Sequence, residues 1–185
     1  MNKITPRFQP VPIGEMVAST DIDDVLVVYG VGSCVVVGLY DPVTKIGGIL
    51  HALLPGVNWQ PQRVTGKSTK YVDQGVPLLI EAMTSLGARK SRLVTYLCGG
   101  AQVINAPGFN DTFSIGERNV LAARMALHGT GLDVHAEKTG GQVGCTIRLH
   151  IIDGKVTVKT LGQEERLLNG NGVKQRQFNI SEGTR

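Results

Sequence analysis

The chain has few cysteines, no dense basic cluster and no long unbroken apolar run. Cys34, Cys98 and Cys145 are odd in number and show no CxxC spacing. Neither a closed disulfide framework nor a zinc or redox site is therefore expected, and no cofactor or metal is called for. The odd count, with no secretory leader pattern, points to a reducing compartment and a cytoplasmic protein. The longest apolar stretch, from Val25 to Tyr40, is broken by Gly30, Gly32 and Ser33. No segment reaches the ~20 continuous apolar residues that span a bilayer, so membrane insertion is not expected. Net charge is only +4, and the basic residues fall in two loose groups, Arg63, Lys67, Lys70 and Arg89, Lys90, Arg92. Without interleaved aromatics these read as a solvated surface or a weak attraction to an acidic partner, and no nucleic-acid partner is expected.

What the chain does have is glycine and a core. Glycine accounts for 24 of 185 residues, roughly double its usual share, which suits tight turns and sites built from main-chain N–H groups. A hydrophobic content of 42% with 18% charged residues describes a globular domain with a sizeable core. Residues 1–13 carry three prolines and read as an N-terminal arm, 14–162 as a single domain, and 163–185 as a polar C-terminal tail. The β-branched run Val25–Val28 predicts a buried strand, Cys34–Tyr40 a second and Ile46–Leu54 its return. Residues 55–70 form a long polar loop of the kind that is often functional. Apolar spacing predicts helices over 71–86, with Pro77 in or near the first turn and Gly87 closing it, and over 116–128. Ser114 and Glu117 form a capping box for the second helix. Further strands are expected at 92–98, 132–137, 145–152 and 155–160, the last two joined through Asp153-Gly154. There is no internal repeat. The order of elements predicts an α+β fold with a β-sandwich-like core of mostly antiparallel strands flanked by helices.

One pair of residues carries chemistry. A two-residue turn at Pro42-Val43 places Cys34 directly opposite His51, with Cβ atoms about 4.5–5.5 Å apart on one face of the sheet. A loop two residues longer makes them diagonal neighbours, and a one-residue bulge sends them to opposite faces. A thiol beside an imidazolium shifts toward the thiolate. Gly32 and Ser33, just before the cysteine, let main-chain N–H groups approach a substrate carbonyl as an oxyanion hole. Cysteine is also a common core residue, and a strand histidine is often structural. Spacing alone leaves both readings open. Cys98 and Cys145 have no histidine in register and read as core.

Gly30-Val31-Gly32-Ser33-Cys34-Val35 with Leu39-Tyr40-Asp41-Pro42 resembles the signature of the CheD chemoreceptor glutamine deamidases. The likeness continues through Lys45-Ile46-Gly47-Gly48, His51, Leu54-Pro55 and Lys70-Tyr71-Val72-Asp73. It then takes in Leu86-Gly87-Ala88, Gly99-Gly100-Ala101, Ile115-Gly116-Glu117-Arg118-Asn119-Val120 and Thr139-Gly140-Gly141. It runs in order over about residues 12 to 162.

The resemblance implies a β-sandwich with flanking helices, similar to that of deamidating bacterial toxins. It implies Cys34 as nucleophile, His51 as base and a thioester intermediate that water releases as glutamate. Glutamate methylesterase activity is implied for some members by the same chemistry. The implied partners are chemoreceptor signalling helices as substrate and the CheC phosphatase. The family's threonine hydroxyl, five or six residues before the cysteine, falls here on Val28 and Tyr29, so Tyr29 is the hydroxyl available to assist. The stretch from Gln102 to Ser114 is longer than usual and has Val103-Ile104 where phosphatase-binding relatives carry an aromatic. The competing expectation is a non-catalytic module that keeps the fold and regulates a chemotaxis signalling partner.

Overall fold

A computed structural model describes residues 5–56, 66–102 and 115–168. Among them are ten strands and two α-helices: β1 (Arg7–Pro10), β2 (Met16–Ser19), β3 (Asp24–Val31), β4 (Val35–Asp41), β5 (Ile46–Ala52), α1 (Val72–Ser85), β6 (Val94–Gly99), α2 (Ile115–Gly129), β7 (Ala136–Thr139), β8 (Cys145–His150), β9 (Val156–Thr160) and β10 (Arg166–Leu167). They form two five-stranded sheets, ordered β1-β3-β8-β9-β10 and β2-β5-β4-β6-β7. All neighbours are antiparallel except β1 with β3 and β6 with β7. The protein is α+β, as its sequence predicts.

Two cores set the layers. Between the sheets, Leu26, Val28 and Val31 of β3 and Ile147 and Leu149 of β8 cluster with Val36, Tyr40, Ile49 and Cys98 from the other sheet. On the far face of that second sheet, Val35, Val37, Leu39 and Leu50 pack with Val72, Val76, Leu79 and Met83 of α1 and with Ala123 and Leu127 of α2. Central strand β4 is thus covered on both faces, which is why Val35–Tyr40 is a continuous apolar run instead of an alternating one. Strand β8, at the centre of the first sheet with only one face against the inter-sheet core, alternates buried with half-buried residues.

Several expectations shift. Within the expected N-terminal arm, Arg7–Pro10 forms a strand parallel to β3, and Val11 beyond it is buried. Gln9 and Arg7 donate side-chain bonds to the buried Asp24 carboxylate, which fixes this strand to the sheet. The expected strand at 132–137 starts only at Ala136. Residues Gly131 and Leu132 instead close α2: the Leu132 N–H bonds the Leu127 carbonyl and the Gly131 N–H bonds that of His128, with Gly131 at φ +74. Pro77 lies inside α1 at its sixth residue, just past the first turn. Arg166–Leu167 in the expected tail pairs with β9. Ser114 as helix cap, the Val103-Ile104 stretch and most of the 55–70 loop lie outside the described residues.

The turn between β4 and β5 is the feature that matters most for the site. Asp41 pairs with Ile46, so the connection has four residues, Pro42 to Lys45, and not two. Lys45 takes φ +54, and the Asp41 carboxylate accepts N–H bonds from Val43 (3.0 Å) and Thr44 (3.4 Å). Arg89 donates its main-chain N–H to the same carboxylate at 2.9 Å, and Arg92 adds its guanidinium.

Candidate active site

With the longer turn, His51 stands opposite Val36, and Cys34 precedes Val36 by two residues. Cys34, just outside β4, is therefore offset diagonally from His51 and is not its direct partner. They share a face: Cys34, Val36 and Ile49 all belong to the inter-sheet core, and His51 follows Ile49 by two. Cys34 is 8% exposed and His51 6%.

Cys34 sits one residue before β4, in a bend whose three main-chain carbonyls accept hydrogen bonds from outside it. The Gly100 N–H donates to the Cys34 carbonyl and the Ala101 N–H to that of Gly32, both at 2.8 Å. The Asn119 side-chain amide donates to the Ser33 carbonyl, also at 2.8 Å. Gly99 must be glycine for this contact. It has φ +102, and a Cβ there would run into the Cys34 carbonyl oxygen. Among the described residues the N–H groups of Gly32, Ser33 and Cys34 donate no main-chain hydrogen bond.

His51 is fixed from the N-terminal segment. Its main-chain N–H bonds the Glu15 carbonyl at 2.9 Å, and its carbonyl accepts from Gly14 at 2.7 Å. Its ring Nδ1 lies 3.3 Å from the Val11 carbonyl oxygen. A carbonyl can only accept, so the proton is on Nδ1 and the neutral ring keeps Nε2 as a free base. Val11 is the orienting partner that reading the sequence missed. Its contribution is a main-chain oxygen, so no side-chain identity could have signalled it. Tyr29, expected as an assisting hydroxyl, is not brought to the pair. It is 56% exposed and follows Val28, so strand alternation turns it away from the inter-sheet core.

The electrostatics differ from the expected ion pair. Burial pushes the Cys34 thiol above its ordinary 9.0, against a smaller opposite pull from its own main-chain N–H. Burial pushes the His51 imidazole below its ordinary 6.5, against the Val11 carbonyl. Burial thus disfavours the charged form of each group, and between these values it favours a neutral thiol beside a neutral imidazole. Burial pushes Cys98 up to about 12, and Cys145 is raised for the same reason. Both are core thiols, in line with their sequence reading. Among the described residues no group of three or more His, Cys, Asp or Glu side chains could hold a metal.

A prediction follows for Cys34 reactivity. Iodoacetamide labelling of Cys34, followed by mass spectrometry across pH, should climb only as pH approaches and passes 9.0, with no shoulder below pH 7. A fast acid plateau would mean a preformed thiolate–imidazolium pair and would contradict the neutral assignment.

The family comparison agrees with the motifs. A family model described as CheD chemotactic sensory transduction matches residues 53–160, more than half the chain. A "Probable chemoreceptor glutamine deamidase CheD" from Symbiobacterium thermophilum is 40% identical over 162 residues, 88% of this chain and 98% of that protein. Proteins of the same description from Pyrococcus abyssi and Pyrococcus horikoshii are 45% and 46% identical, over 74% and 71% of this chain and 82% and 79% of theirs. An alignment over 88% of 185 residues necessarily takes in both Cys34 and His51. No described helix is long and apolar enough to cross a membrane. The chain belongs to the CheD family of chemotaxis proteins.

Proposed function

We propose that this protein is a chemoreceptor glutamine deamidase that works through a Cys34 thioester. The observation that carries the reading is the His51 ring, fixed through Nδ1 to the Val11 carbonyl and diagonal to Cys34 on one sheet face. The names of the relatives supply the substrate class.

In this mechanism the Cys34 sulfur attacks the side-chain amide carbon of a receptor glutamine, and its proton passes to His51 Nε2. Negative charge collects on the carbonyl oxygen, where the N–H groups of the Gly32–Cys34 bend receive it. The imidazolium then protonates the amide nitrogen, the C–N bond breaks, and ammonia leaves a thioester. His51 next takes a proton from water. The hydroxide attacks the thioester carbonyl, the C–S bond breaks, the sulfur regains the proton, and glutamate is released. A glutamate methyl ester enters the same cycle with methanol in place of ammonia, so methylesterase activity belongs to the same proposal. The setting is the cytoplasm, where receptor signalling helices are reached; with Val103-Ile104 in place of the aromatic of phosphatase-binding relatives, a pull-down decides whether a CheC-type phosphatase is also a partner.

Incubation with a receptor cytoplasmic fragment should convert specific glutamines to glutamates, read by peptide mass spectrometry. His51→Ala should slow this by about 10²–10⁴-fold, the usual contribution of a general base. A competent receptor left unmodified by the wild-type protein would sink the proposal and favour a non-catalytic regulatory module.

A further inference from the structure

Asn119 belongs to α2, yet its side chain reaches into the strand ends that carry the site. It is fully buried. One amide nitrogen donates to two carbonyls, Ser33 at 2.8 Å and Leu53 at 3.0 Å. Ser33 immediately precedes Cys34, and Leu53 follows His51 by two residues. The amide's orientation is dictated by chemistry, because only its NH₂ can donate to a carbonyl. Its Oδ1 is buried and makes no hydrogen bond. Burying an amide with one acceptor unsatisfied costs stability, so an apolar residue would serve better if α2 needed only an anchor here. What an apolar residue cannot do is hold two separate chain segments at once.

We propose that Asn119 is a positioning residue: its amide ties the segment before Cys34 to the segment after His51 and so sets the geometry of proton transfer between them. This rests on the deamidase reading for its catalytic consequence, but the tie itself can be tested without substrate.

The test uses the full chain with Asn119→Ala and the volume-conserving Asn119→Asp, which loses both donors. The control is Ala123→Gly, one turn further along α2, fully buried and with no side-chain donor for either carbonyl; it weakens the helix by its poorer propensity. All are assayed well below their own Tm. For both Asn119 variants kcat on a receptor fragment should fall about 10- to 100-fold, the scale expected of a small misplacement, with KM nearly unchanged. Ala123→Gly should keep wild-type kcat. Iodoacetamide labelling of Cys34 relative to Cys98 should rise in the Asn119 variants, because the loop is freed, and stay unchanged in the control. Wild-type kcat in either Asn119 variant, an equal loss in Ala123→Gly, or failure of both Asn119 variants to fold would overturn the proposal. If the wild-type protein leaves receptor glutamines intact, the deamidase reading fails. The labelling ratio then decides alone: a rise keeps the tie, and no change removes it.

Discussion

Substituting alanine for Cys34 should stop receptor deamidation while leaving the protein folded. The sulfur is the only atom that can form the thioester, and neither hydroxide nor another side chain on this face replaces it. Removal of a covalent nucleophile costs on the order of 10⁴-fold or more in kcat. The fold should tolerate the change because the bend around Cys34 is held through main-chain carbonyls. Gly100, Ala101 and Asn119 donate to Cys34, Gly32 and Ser33 respectively, and none of these bonds uses the thiol. Loss of one buried sulfur from the inter-sheet cluster should cost about 1 kcal/mol. The paired measurement is peptide mass spectrometry of the receptor fragment and a melting curve for the variant. A variant that no longer folds would make Cys34 a packing residue. One that folds, binds receptor and retains the full cellular effect would make the protein a regulatory module that needs no chemistry.

Much of this site could be read from the sequence because it is local. Cys34 immediately precedes β4 and His51 lies on its antiparallel neighbour β5, and Asp41-Pro42 announces the turn between those strands. The turn's length was not legible. Lys45, not glycine or asparagine, occupies the left-handed region at φ +54, so no residue type marked the two extra positions. The error was benign only because it was even: a shift of two keeps both side chains on one face, where a shift of one would have parted them. The parts that sequence reasoning missed come from far along the chain or carry no side-chain signal. Strand β1 is short, ends in proline and pairs in parallel with β3, so nothing alternates. The partner of His51 is a backbone oxygen of Val11. Asn119 looks like any polar residue on a helix until the fold shows it buried. Tyr29 failed for a related reason, since a hydroxyl near in sequence faces the wrong way once strand alternation is applied.

The neutral pair also explains why so much of the scaffold is devoted to position. Desolvation raises the thiol and lowers the imidazole together, so burial favours the uncharged form of both groups. Stability follows the same signs. His51, depressed in the folded state, favours folding fully above pH 6.5, and that contribution is lost as pH falls through its folded pKa. Cys34, raised in the folded state, favours folding below pH 9.0 and loses its contribution as pH rises past its folded value. The interval between is where the folded protein and the neutral pair coincide.

Asp41→Ala should be the most damaging single change to stability away from the apolar core. The carboxylate is fully buried and gathers N–H donors from Val43, Thr44 and Arg89 together with the Arg92 guanidinium. Burial opposes its charge, but these donors outweigh it and hold its pKa down to about 2 from 3.8. Its contribution is present above pH 3.8 and drains away as pH falls toward 2. Alanine would leave a largely buried guanidinium and three N–H groups without their acceptor, a loss of about 3–5 kcal/mol. Urea denaturation should report it as a lower midpoint with an unchanged slope. Adding Arg92→Ala to Asp41→Ala should cost less than the two single changes summed, because the stranded charge is then gone. The effect should reach the site as well. Asp41 closes the turn that sets Val36 against His51, so variant protein kept folded at low temperature should turn over more slowly at saturating receptor. An Asp41→Ala protein within about 1 kcal/mol of wild type would show that packing between β4 and β5 alone holds the register, and that the turn merely follows it.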